Sequence, residues 1–476
     1  MTARTASTNR VGAMTALALG VLSYGLMQTM LVPAIGALQH ALHTDANGAT
    51  WAVMSAPLLA SAILTPLVGR LGDRFGRRRM LLLVLAIYLI ATLAAALAPG
   101  IGVLIAARAA QGISMAILPL AFGSVPDVLA PERVHAGLGL LSGLVGGAAG
   151  IALVCGGLLV DHASWRWLFV VGAVLITAAL VFTYLFVPES ATRAPGRLDP
   201  AGIALLTGGL CGILLALTVA PTAGWLSMPV AALAVAGVAL LIGFAYVERR
   251  LRFPLIDMDL VLDRRAGIVH LAAGTLGAIQ FAYYVLVPKL VELPVTAGGF
   301  GRSVTMAGLV MLPSTLVVLP ASAAAGRLVT RRGAHLPLIA GLLATAAGAG
   351  LLAAAHSALW QLAVCALPIG LGMGLVMAAL PAELHRTVDP ARAATANGIN
   401  TVSRTVGGAV GSQFGAALTI GSITTGLPIT FWVAAATGIA GAAATLTLRP
   451  RRSPAGAGAH PVKLVESAMN SARGGR

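Results

Sequence analysis

The chain has 476 residues, of which 58% are hydrophobic and only 10% charged, with a mean hydropathy of +0.92. A soluble protein of this length needs far more charge to cover its surface, so a soluble globular class is excluded. The net charge of +16 could suit a nucleic-acid partner, but the basic residues sit in short segments between apolar runs and form no single stripe. The partner they point to is the lipid bilayer.

Apolar runs fall at 12–38, 51–69, 80–98, 101–124, 136–160, 167–187, 201–220, 229–247, 267–288, 304–325, 336–355, 359–380, 395–420 and 428–448, fourteen in all. Runs of about 20 residues are the length of a membrane-crossing helix and twice that of a barrel strand. Lipid also obliges each crossing segment to satisfy its own backbone, which predicts an all-α membrane protein. The first run is too long for a cleavable leader. Cys155, Cys211 and Cys365 all lie inside apolar runs and read as free thiols.

Orientation follows from the arginines. With the N-terminus in the cytoplasm, Arg70, Arg74 and Arg77–Arg79 fall inside, as do Arg249, Arg250, Arg252, Arg264, Arg265, Arg327, Arg331, Arg332 and the tail from Arg449. Only Arg166, Lys289 and Arg302 remain outside. This is the positive-inside asymmetry of a bacterial-type inner membrane protein with both termini cytoplasmic. Trp51, Trp165, Trp167, Trp225, Trp360 and Trp432 then all fall near the outer face, where an apolar ring with a polar N–H is most stable.

The chain repeats itself. Leu31-Val32-Pro33 recurs as Leu286-Val287-Pro288, an offset of 255. Gly69-Arg70-Leu71 with Arg74 and Gly76 recurs as Gly326-Arg327-Leu328 with Arg331 and Gly333, an offset of 257. Gly112 matches Gly370, and Gly146-Gly147-Ala148 with Gly150 recurs as Gly407-Gly408-Ala409 with Gly411. The order implies two parallel six-helix halves, 1–188 and 266–448, around a two-helix insert, 189–265, with a disordered tail at 449–476.

The motif Gly69-Arg70-Leu71-Gly72-Asp73-Arg74-Phe75-Gly76-Arg77-Arg78 is expected in the loop between the second and third helices. It resembles the loop motif of the major facilitator superfamily at every defining position. Arg108-Ala109-Ala110-Gln111-Gly112 resembles that family's second motif, and Trp165-Arg166-Trp167 resembles its fourteen-helix drug:proton antiporter branch. The resemblance implies a major facilitator fold that exports drugs or natural products by alternating access, with the proton gradient as energy source and no cofactor. It also implies a latch of Gly69, Asp73, Arg74, Gly76, Arg77, Arg78 and Asp127, and a mid-membrane cavity lined from Tyr24, Gln28, Arg108, Gln111, Gln280, Tyr283 and Arg404. The glycines Gly146, Gly147, Gly150, Gly156, Gly407, Gly408 and Gly411 would allow close helix packing.

Two departures stand out. The family's antiporter motif carries Gly-Pro before a Gly-Gly pair, whereas Gly156-Gly157 follow Ala152-Leu153. The branch also carries an aspartate nine residues before a helix-1 proline, and counting back from Pro33 gives Tyr24. All fifteen acidic residues lie in loops or near helix ends. Remaining proton carriers are Asp127 with Arg108, His270, or Glu292 with Lys289. A cavity with Arg108 and Arg404 and no acid favours neutral or acidic lipophilic compounds over cations. Asp257, Asp259 and Asp263 read as a solvated acidic face beside arginines, with no metal site. A narrow-specificity metabolite transporter and a non-transporting membrane sensor are the alternatives. An enzyme is not expected, because no catalytic residues group at one depth, and the transporter is expected as a monomer.

Overall fold

The computed structural model describes residues 2–31, 34, 38–39, 41–44, 52–53, 56–190, 199–224, 226–251, 258, 264–388, 393–419 and 422–447. Trp51, Trp225, Arg252, the acidic residues at 257, 259 and 263, Val32-Pro33 and the tail from 449 lie outside these residues.

A helix coincides with each apolar run. They are α1 (Thr2–Thr29), α2 (Ala56–Phe75), α3 (Arg77–Ala96), α4 (Ile101–Gln111, continuing through a 3-10 turn, Gly112–Ala116, into Ile117–Val128), α5 (Pro131–His162) and α6 (Arg166–Phe186). Next come α7 (Pro200–Ala223), α8 (Met228–Glu248), α9 (Arg264–Glu292), α10 (Val304–Arg332) and α11 (His335–Ala354). The chain ends with α12 (Leu359–Cys365, continuing as Leu367–Thr387), α13 (Ala393–Leu418) and α14 (Ile423–Leu446). Among the described residues eleven of these are long and apolar enough to cross a membrane. Of the other three, α2 and α13 carry polar and charged residues, and α7 is apolar along its length, with Pro200–Ile213 its continuous stretch among the described residues.

The expected loop between the second and third helices is not a loop. α2 stays helical through Phe75, and Gly76 alone separates it from α3. Helical hydrogen bonding continues past the lipid boundary, whereas an apolar run ends there. Gly76 has φ +111° and its repeat partner Gly333 has φ +83°, the region that glycine enters without cost. The repeated glycine is thus a repeated sharp break.

Packing repeats as well. α1 packs on α5 and α6, α3 on α6, and α2 on α4. In the same order α9 packs on α13 and α14, α11 on α14, and α10 on α12. The first six helices meet the last six along two seams, α5 with α10 and α2 with α13. α7 and α8 pair with each other, and α7 lies against both α2 and α13. Its residues Leu206 and Leu210, with Phe244 of α8, join Leu59 and Leu67 of α2 and Val402 and Val406 of α13 in one apolar cluster.

Candidate functional site

At the basic end of the bundle, Asp73 is fully buried. Its Oδ1 accepts from Arg77 Nη2 at 3.0 Å and Nε at 3.1 Å. Its Oδ2 accepts from the backbone N–H and the hydroxyl of Thr395, both at 2.8 Å. Thr395 lies in the first turn of α13, which has no acid of its own there. First-turn N–H groups lack helical partners and the helix dipole favours an anion, so Asp73 of α2 caps α13 from across the seam. Arg77 also donates to the Gly123 carbonyl at 2.7 Å and approaches Asp127 Oδ2 at 3.4 Å. One residue along α4 from Gly123, the Phe122 carbonyl lies 3.2 Å from His385 Nε2 of α12.

Other motif residues act within the first six helices. Arg78 Nη2 donates to the Tyr184 carbonyl at 2.7 Å, and its backbone N–H donates to Glu189 at 3.3 Å. Arg79 pairs with Glu189 at 3.6 Å. Arg74 lies over its neighbour Phe75, 4.8 Å from the ring centroid, and Gly69 is buried within α2.

Between the halves of the bundle, Tyr24, Gln28, Gln280, Phe281, Tyr284 and Arg404 line a cavity of about 60 Å³. That holds a few waters and is far below the ~300–1,000 Å³ that encloses a drug-sized ligand. Arg404 of α13 and Tyr24 of α1 line the same space, so both groups of helices contribute to it. Gln280 Nε2 donates to the Tyr284 hydroxyl at 3.4 Å. Gln280 is 3% exposed, and its Oε1 has no partner among the described residues. Among the described residues no Asp or Glu lines the cavity.

Three residues expected in this lining lie elsewhere. Arg108 is 2% exposed and spends its donors on the Ala52 carbonyl (3.2 Å), the Val53 carbonyl (2.7 Å) and Gln111 Oε1 (2.7 Å). Gln111 donates onward to Thr92 at 2.8 Å. The pair therefore fixes the chain leading into α2 behind the Val53 wall, because backbone carbonyls satisfy a buried guanidinium as an acid would. Tyr283 is turned to Ser314, 2.8 Å away, and its neighbour Tyr284 faces the cavity instead.

The glycines separate into two uses. In α5 a Cβ at Gly146 would meet Val318 of α10, and one at Gly150 would meet Thr315, while Gly147 has only ordinary contact with that helix. Gly156 lies against the Met30 backbone after α1. In α13, Gly407 and Gly411 lie on the α9 backbone at Gly274 and Ala278, and Gly408 lies on Phe281. So one repeat packs across a seam and the other packs within the last six helices. Sequence reasoning missed Thr395, His385, Phe281 and Tyr284. The first of these could have been sought as the start of a helix lacking its own N-terminal acid.

A polytopic helical bundle whose two repeated groups close over a central cavity defines a membrane transporter. The description Major Facilitator Superfamily matches residues 17–411 and 270–473, and the chain belongs to that family. It is 32% identical over 391 residues to the puromycin resistance protein pur8 of Streptomyces alboniger, covering 80% of this chain and 76% of that one. It is 29% identical over 401 residues to the tetracenomycin C resistance and export protein of Streptomyces glaucescens, covering 83% and 73%. It is 30% identical over 413 residues to the multidrug resistance protein Stp of Mycobacterium tuberculosis, covering 85% and 75%. In fold it is similar to the proton:xylose symporter XylE, with a TM-score of 0.67 at 16% identity, over 93% of this chain and 96% of that one. The human organic anion transporter MFSD10 gives 0.66 at 17% identity, over 92% and 99%. The chain is thus a multi-pass membrane transporter of the major facilitator family, related to drug resistance and export proteins.

Proposed function

We propose that this transporter exports lipophilic small molecules, drugs or natural products, from the cytoplasm by alternating access coupled to inward proton movement. In this reading fourteen crossings form two six-helix halves, 1–188 and 266–448, around the insert 189–265. Both termini are cytoplasmic, the protein works as a monomer in the plasma membrane, and no cofactor takes part.

The observation that carries the reading is the closure of the basic end by Asp73 on the N-terminus of α13. A buried carboxylate that spans the seam supplies a bond that must break when the cytoplasmic side opens. Names of relatives that speak of antibiotic resistance and export support the direction of transport. The acid-free cavity with Arg404 supports neutral or acidic substrates over quaternary cations, because a cation there would lack a counter-charge.

The test is growth of an efflux-deficient host on a drug panel, with and without the gene, followed by efflux from loaded cells with and without a proton uncoupler. Resistance to at least one neutral or acidic drug, lost with the uncoupler, is expected. No resistance to any drug at full membrane expression would reject export, and uncoupler-insensitive efflux would reject proton antiport.

A further inference from the structure

The cavity carries two unequal polar demands among aromatic rings. Arg404 offers a guanidinium to a lining that, among the described residues, holds the phenol of Tyr24 and no carboxylate. An anionic oxygen adds full charge to what a hydroxyl offers, and a carboxylate can accept two parallel N–H bonds from a guanidinium, so an anion outcompetes a phenol for Arg404. Gln280 presents the opposite chemistry. Its amide N–H is turned to Tyr284, and its Oε1 is a buried acceptor that lacks a donor among the described residues. Leaving such an acceptor unmet costs about 1–3 kcal/mol, which a ligand O–H or N–H would recover.

The two demands are close together. A Cβ on Gly277 would sit on the Arg404 backbone, so α9 and α13 touch there, and Gln280 is three residues further along α9, about 4.5 Å in rise. Tyr24, Phe281 and Tyr284 supply aromatic walls to the same space. Flat rings stack on such walls with about 0.5–1.5 kcal/mol beyond area burial.

We infer that the preferred substrates are planar aromatic monoanions that carry a hydroxyl or N–H donor separate from the anionic oxygen. Arg404 takes the anionic oxygen, and Gln280 Oε1 takes the donor. The inference rests on the reading of this cavity as the substrate site and narrows it, since an acid without a donor, or a donor without an acid, satisfies only one group.

The experiment uses the full chain in lipid nanodiscs and three probes of nearly one size: 6-hydroxy-2-naphthoate, 6-methoxy-2-naphthoate and methyl 6-hydroxy-2-naphthoate. The hydroxy acid should bind about tenfold tighter than either of the others, one hydrogen bond's worth in each case. In Gln280→Leu the gap between hydroxy and methoxy acid should close, and in Arg404→Gln the gap between hydroxy acid and ester should close. Gln280→Met serves as the second variant if the leucine protein does not accumulate, and the wild-type contrast decides without either. Equal binding of hydroxy and methoxy acid by the wild type, or a gap that persists in the Gln280 variants, overturns the inference. A chain that confers drug resistance but binds none of the three probes also overturns it while leaving export intact. Failure of resistance and binding together rejects the parent reading.

Discussion

Asp73 has to satisfy two neighbours at once: a guanidinium on its own side of the seam and a helix N-terminus on the other. Asn in its place keeps the shape but loses the charge that both prefer. Asp73→Asn is therefore expected to cut transport at least tenfold at matched membrane level, whereas Thr395→Val, which keeps the backbone donor, should cost only a few-fold. Wild-type rates in Asp73→Asn would remove the latch. Arg108 makes a different claim. Its donors end on two carbonyls and Gln111, so Arg108→Met strands buried acceptors and should lower thermal stability by about 2–3 kcal/mol. Unchanged melting of the purified variant in detergent would contradict that role. Arg108 also shows where sequence reading ends. A buried arginine announces that partners exist, but it does not distinguish an acid, a substrate or a carbonyl. The Tyr283–Tyr284 pair is similar: neighbours on a helix point about 100° apart, and only packing decides which ring meets the cavity.

Among the elements, the helices were legible because each apolar run must satisfy its backbone internally, and the run positions match the helices closely. Their ends were not, since Arg70–Phe75 and Gly326–Arg332 remain helical in polar surroundings. The break of α4 at Gly112 was equally hidden, being one glycine among 57. The α5–α10 seam gives a graded test of the glycines. A Cβ on Gly139 would lie 2.7 Å from the Ser322 carbonyl oxygen, a backbone atom that cannot yield cheaply, whereas the nearest atom to one on Gly147 is 3.6 Å away. Gly139→Ala should impair transport strongly and Gly147→Ala hardly at all, read as drug resistance at equal expression. The reverse order would mean that these helices are not held at this distance in the working protein.

For the whole molecule, the repeat visible in glycines and arginines anticipated the repeated packing, but neither the contact from Asp73 to Thr395 nor the resting place of the insert could be read from it. The first spans 322 residues of chain, and the second has no repeat partner. Orientation can be checked directly. In a background without Cys155, Cys211 and Cys365, Ser357→Cys between α11 and α12 should react with an impermeant maleimide in intact cells, and Leu251→Cys after α8 should not. Labelling of Leu251→Cys from outside would overturn the proposed topology.

The two seams differ in a way that bears on how the molecule moves. Along α5 and α10 the backbones touch from Gly139 and Ser322 at one end to Gly157 and Thr305 at the other. The α2–α13 seam instead carries the Asp73 bond at its basic end, and α7 lies against both of its helices. A pair of close-packed glycine-lined helices can slide or swivel while staying in contact, whereas α7 bridges the other seam, so that parting α2 from α13 requires α7 to leave one of them. In the proposed export cycle the stroke then keeps α5 and α10 in contact while the halves change their angle about them. Compounds dissolved in the bilayer would meet the insert on the opening side, and so be steered to enter from the ends.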